Sequence, residues 1–583
     1  MAFSNTELIA FFKQRMVELY DRNTLDSYSV RTCNTMSMFC EMKEIICGWI
    51  IGNVKRGETV GLCVDECLKL MDDEEWMDFS FYDKVKLKTH LQDYSKSVKQ
   101  VKDAKDKKEK DYNEAQNTLH LVNLCIGKND KLYLSNLLAA IRGELLTPKN
   151  DYDDNDFKPT MAKLDNKLTR IATELLRRGY SKKYLYQYFN AIKQNKGGLR
   201  FENAYDQLQR KFSAVHQHTD VVIIRLVFTT GNIPLMDNMV DTVPAEYVAA
   251  MDNSMSGYSS SASNRRFFIV KVKAQDSNAA LHAARLDLAQ ALDRNDMGIV
   301  GIEKRGLVAY KENNAWTVHW ELYNQLERRP IRQANVANPL SAEMQRIDSA
   351  TNISQEIKDR LNTALRHLRV GDGQEEMEQR FLNYWIGLEF IFATPRSGDS
   401  TFARLKDKFP QMKTLYYLKR NVNDLDVLLR KKGLIGAGES FGQLADVDKT
   451  RVFNTTTDML LKYRITKMKE HLHDHSKVKE YLQSHIKHLE WHMSRIYHLR
   501  NELVHEAAIR QNIEGVANNL RSYLVFMLNL MLDYCKQQMA NPQGEPVVMD
   551  NFFWHYELLW KKLTPEYEKD GFLSLGIPDE LVK

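Results

Sequence analysis

Between residues 481 and 507 the chain reads YLQSHIKHLEWHMSRIYHLRNELVHEA. Leu482, Ile486, Leu489, Met493, Ile496, Leu503 and Ala507 recur at helical spacings and draw one apolar stripe down an amphipathic helix. The slot that continues the stripe between Ile496 and Leu503 is Arg500. An unpaired charge in a core position costs several kcal/mol, roughly, so an anion is expected to meet this guanidinium. Two further stretches share the helical period. Phe381, Trp385, Leu388 and Phe392 repeat within Glu375–Ala393, and a broad apolar face runs along Asn512–Gln538 through Val516, Leu520, Tyr523, Leu524, Met527, Leu528 and Met531. So wide a face asks for two partners, one inside the domain and one across a dimer.

Upstream, residues 1–215 read as helical throughout, with Leu8, Phe11, Phe12, Met16 and Leu19 on the buried side of a first helix capped by Ser4 or Asn5. Leu168–Ile192 continues as a helical hairpin turning at RRGYS, and the acidic run at 150–156 reads as a loop. From about residue 218 the period becomes that of strands. Asp220–Thr229, Phe267–Val272, Ile299–Ile302, Leu307–Tyr310 and Trp316–Leu322 are predicted strands, Ser277–Leu292 a helix, and 251–264 a polar, mobile loop. Strands around one helix suggest a small α+β module, ferredoxin-like in outline. The predicted fold is therefore mainly α: a helical N-terminal region (1–215), an α+β module (216–335), a C-terminal all-α helical bundle (336–540) and an aromatic-rich tail (541–583) whose rings more often dock on their own protein than on bases.

Composition adds little that is specific. A chain of 583 residues with 43% hydrophobic and 27% charged content, 12 Pro and 26 Gly is an ordinary helical, multidomain protein. A net charge of +5 permits nucleic-acid binding without announcing it, and the lysine-rich run around 98–110 reads first as a solvated face. Seven cysteines without a C-x-x-C pair, no basic-then-apolar leader and no span-length apolar run predict a cytoplasmic protein with reduced thiols and no membrane partner.

Candidate chemistry gathers at the stripe. Tyr497, Asn501 and His505 form the neighbouring row four residues apart, which puts an amide and an imidazole beside Arg500. Together these groups can hold a phosphate and move a proton. IYHLRNELVH resembles the R-N-x-x-x-H signature of HEPN domains (higher eukaryotes and prokaryotes nucleotide-binding), in particular the ApeA-like branch of bacterial defence proteins, and the helix carrying Trp385 and Glu389 resembles the first long helix of that branch. The likeness covers about residues 375–535. It implies a HEPN helical bundle and a ribonuclease needing no metal or other cofactor, with Arg500, Asn501 and His505 catalytic and Glu389 and Tyr497 supporting. Two copies would face each other as a homodimer, cleaving tRNA or other host RNA once a phage product or a second protein triggers the enzyme. Attack of the ribose 2′-hydroxyl on its own phosphate would leave a 2′,3′-cyclic phosphate and a 5′-hydroxyl.

Other readings of the same residues stay open at this point. Arg500 can bond Glu389 inside a non-catalytic HEPN module that binds RNA or protein without cutting. His471, His473 and His475, or His485, His488 and His492, can hold a metal for a hydrolase, although no HExxH occurs and exposed histidines on a polar face are the plainer account. GLIGAGES lacks the Lys-Ser/Thr ending of a phosphate-binding loop.

Overall fold

A computed structural model describes residues 5–576 except 22–32, 148–153, 214–217, 229–236, 256, 261, 295–299, 313, 324–339, 375, 394–399, 507–512 and 541–544. The chain is mainly α with one five-stranded antiparallel sheet. Helices fill the described residues from Asn5 to Ser213, and Leu8, Phe11, Phe12, Met16 and Leu19 are buried as the periodicity requires. The helix Asp154–Arg177 stops at Gly179, whose φ of +90 suits a residue without Cβ, and Ser181 caps the next helix, Lys182–Gln194. Of the acidic run read as a loop, Asp154–Asp156 belong to that first helix, and 150–153 lie outside the described residues.

Strands β1 (His218–Phe228), β2 (Met239–Val240), β3 (Arg265–Ala274), β4 (Val300–Glu312) and β5 (Ala315–Leu322) pair in the order β2-β3-β1-β4-β5. β1 lies centrally and is covered on both faces, Val222, Ile224 and Leu226 against the helix Ser277–Arg294, and Val221 and Ile223 against the chain that precedes β3. Burial on both sides explains why its sequence is a continuous apolar run. The two strands expected at 299–302 and 307–310 are one, β4, with a register shift opposite Ile224 and Leu226. Its polar middle stays in the sheet because Glu303 pairs with Arg225. Nor is 251–264 simply a polar loop: Met255 and Tyr258 are buried in the second sheet face. The Tyr258 hydroxyl accepts the Arg225 backbone N–H at 2.8 Å. Tyr258→Phe leaves that N–H unpaired and is expected to cost about 1–2 kcal/mol in a urea titration.

Residues 340–576 build a second helical body around the helix Glu514–Ala540. Burial on that helix extends past the face read from sequence to Phe526, Leu530 and Tyr534, while Asn518, Ser522, Val525 and Asp533 stay half-buried and Lys536 exposed, so much of its width is satisfied within one chain. Part of the cover comes from the aromatic tail: Phe552, Phe553, Tyr556 and Phe572 join the same core. The two helical bodies are also fused. Met459, Leu460 and Tyr463 pack into the N-terminal core, and Arg464 pairs with Glu18. No helix among the described residues is long and apolar enough to cross a membrane.

Candidate functional site

The helix His475–Glu506, called here the seam helix, buries Leu482, Leu489, Met493, Ile496 and Leu503 along the stripe read from sequence. Arg500 occupies the expected slot and is half-buried. Its Nη1 donates to the neighbouring Asn501 Oδ1 at 3.1 Å, and its Nε is enclosed without a hydrogen-bond partner among the described residues. Glu389, the candidate carboxylate partner, instead accepts from Trp385 Nε1 at 2.8 Å. Among the described residues Arg500 forms no ion pair.

One turn before Arg500, the Tyr497 ring stacks on Phe402 with centroids 3.8 Å apart and lies 5.9 Å from Trp385. Trp385, Phe402 and Tyr497 thus make an aromatic base beside the guanidinium, and they are brought together from three separate helices. Among the described residues Tyr497 and Glu389 both contact Trp385. His505 lies in the last turn of the seam helix, and its side chain falls outside the described residues, as does the segment 507–512 that follows. On the adjacent flank His498 Nε2 stands 3.2 Å from Glu502, a pair whose four-residue spacing is visible in the sequence.

The histidine-rich stretch does not collect a metal set: among the described residues no group of three His, Cys, Asp or Glu side chains could hold an ion. Nor are these histidines uniformly solvated. His485 is buried, stacked on Tyr417 at 3.5 Å and bonded to Thr414, and His492 is buried against the Tyr523 hydroxyl at 2.8 Å. His471 stacks on Tyr481 at 4.0 Å, and burial pushes its pKa down to about 4, with Lys467 adding to the effect. The unfolded chain binds a proton there below pH 6.5 whereas the folded one stays neutral until about 4, so this contribution to stability is present above 6.5 and lost as the pH falls toward 4. His471→Phe is expected to flatten that part of the stability profile by about 2 kcal/mol between pH 7 and 4, read from urea midpoints.

The opposite flank of the seam helix is gripped by the N-terminal region. Arg495 Nε donates to both Glu41 oxygens at 2.8 and 2.9 Å, and its Nη2 donates to Glu66 at 2.8 Å. No family model, curated protein or solved structure matches the chain.

Proposed function

We propose that this chain is a metal-independent endoribonuclease of HEPN type. Arg500 clamps the scissile phosphate, Asn501 orients it or the imidazole, and His505 carries the proton. The observation that supports the reading is the guanidinium: half-buried, without an ion pair among the described residues, and with its candidate carboxylate engaged by Trp385. A cation held that way is costly unless an anion from outside completes it, and a phosphate diester fits a planar fork of donors.

Attack by the ribose 2′-hydroxyl needs its proton removed, the leaving 5′-oxygen protonated and the extra charge on phosphorus stabilised. Arg500 serves the last need. One His505 can take a proton or give one at a given moment, so two copies of the chain sharing a site supply a base and an acid together. In this reading the RNA is tRNA or another host RNA, and the N-terminal region and the sheet module restrain the enzyme until infection supplies a phage-derived or protein trigger.

Total RNA incubated with the protein in EDTA tests the proposal. Fragments ending in 2′,3′-cyclic phosphate and 5′-hydroxyl are expected, and cutting by His505→Ala should fall at least about a hundredfold. Cleavage that survives in His505→Ala, or that appears only after zinc or manganese is added, would overturn it.

A further inference from the structure

The second face of the sheet is only partly covered. Val243, Tyr247, Met255 and Tyr258 lie over Ile223, Phe267, Leu307 and Val318. Strand alternation places Lys271 and Lys273 of β3 and Lys311 of β4 on that same face, at the end where β1 and β5 begin. The ladder fixes their separation. Lys271 is opposite Val221, which is opposite Ala309, so the two lysine-bearing strands are two strand spacings apart, roughly 10 Å. Lys273 is opposite Thr219, and Lys311 is opposite Trp316.

All three lysines are exposed, and among the described residues none forms an ion pair. Trp316 is held rather than loose. Tyr247 packs edge-on against it at 4.9 Å, and its Nε1 donates to Glu246 at 3.2 Å. Lys311 Nζ hovers 4.9 Å above the ring, a position that a base could take while the ammonium moves to a phosphate. Glu246 accepts from the indole at this corner and keeps its charge, and the three lysines outnumber it.

We propose that this uncovered corner of the sheet is a binding surface for single-stranded RNA, in which Lys271, Lys273 and Lys311 meet the phosphates and Trp316 stacks a base. Cations that track a backbone beside an aromatic ring are what sequence-tolerant binding of single strands requires. The choice of RNA rests on the ribonuclease reading, whereas the surface itself does not.

Anisotropy of a fluorescein-labelled oligouridine of about twenty nucleotides, in EDTA, on the full-length His505→Ala chain measures this directly. The triple change Lys271→Gln, Lys273→Gln, Lys311→Gln is expected to weaken binding at least about tenfold and to reduce the slope of log Kd against log salt by about 2, the release of three phosphate contacts. Trp316→Leu should weaken binding about fivefold with the slope unchanged. Thermal melts of each variant matching the parent keep loss of fold from imitating loss of binding. An unchanged Kd and slope in the triple variant would overturn the proposal and leave the lysines as solvated side chains of an exposed sheet face. Binding that depends on the lysines in a protein that never cuts RNA keeps the surface and sinks the ribonuclease; cutting with unaltered binding in the triple variant does the reverse.

Discussion

Arg500→Ala is expected to lower RNA cleavage by roughly a hundred- to a thousandfold while leaving the melting temperature unchanged or slightly raised. The two halves of this result belong together. A guanidinium that braces the fold through an ion pair takes several kcal/mol with it when removed, because its partner is left buried and charged. Arg500 has no such partner among the described residues, and its Nε is enclosed without an acceptor. Deleting it therefore relieves a desolvated charge in the resting protein and removes the group that would meet the phosphate in the reaction. Arg500→Lys keeps the charge but loses the planar fork, and should recover only a small part of the rate. Initial rates on RNA in EDTA, with a thermal melt of each variant, decide the matter. A large drop in melting temperature with the loss of cutting would make Arg500 a brace and not a clamp.

Arg170 is the contrasting case, and Arg170→Ala is expected to cost about 3–5 kcal/mol of stability. Its side chain is 2% exposed and that of its partner Glu74 is 0% exposed. The guanidinium also donates to Thr35 Oγ1, the Leu70 carbonyl and Asn166 Oδ1, and it lies 5.1 Å over the Trp76 ring. Burial pushes the Glu74 carboxyl up, and Arg170 is the main influence holding it down. Without the arginine Glu74 must take up a proton or stay charged and unpaired. Arg170→Met combined with Glu74→Gln should recover most of the loss, since an uncharged pair carries no such penalty. Urea titration followed by circular dichroism measures both. A cost under about 1 kcal/mol for Arg170→Ala would mean that this interior is wetter than its enclosure implies.

Much of this architecture is legible in the sequence where one element decides its own environment. The stripe through Leu482, Met493 and Ile496, the slot at Arg500 and the doubly apolar β1 all follow from local period. What escaped depends on partners distant in the chain. His485 and His492 sit three residues beyond Leu482 and Leu489 on the buried side, yet an imidazole there is tolerable only because Thr414 and Tyr523 complete its hydrogen bonds. Likewise, nothing in the spacing of the Met377–Phe392 helix says that Glu389 turns back to its own Trp385 and not across to Arg500. The breadth of the Glu514–Ala540 helix was visible, but whether a second chain or the aromatic tail covered it was not.

The fusion of the two helical bodies bears on the order in which the protein matures. Tyr463 and its neighbours fill a place in the first core, and Arg495 fills another between Glu41 and Glu66. During synthesis the leading two hundred or so residues therefore emerge with a gap and two uncompensated acids, and wait for more than two hundred others before either is closed. The arginine-bearing end of the seam helix reaches its final surroundings only after that closure, so a ribosome-bound or truncated chain carries the sequence of the site without its shape.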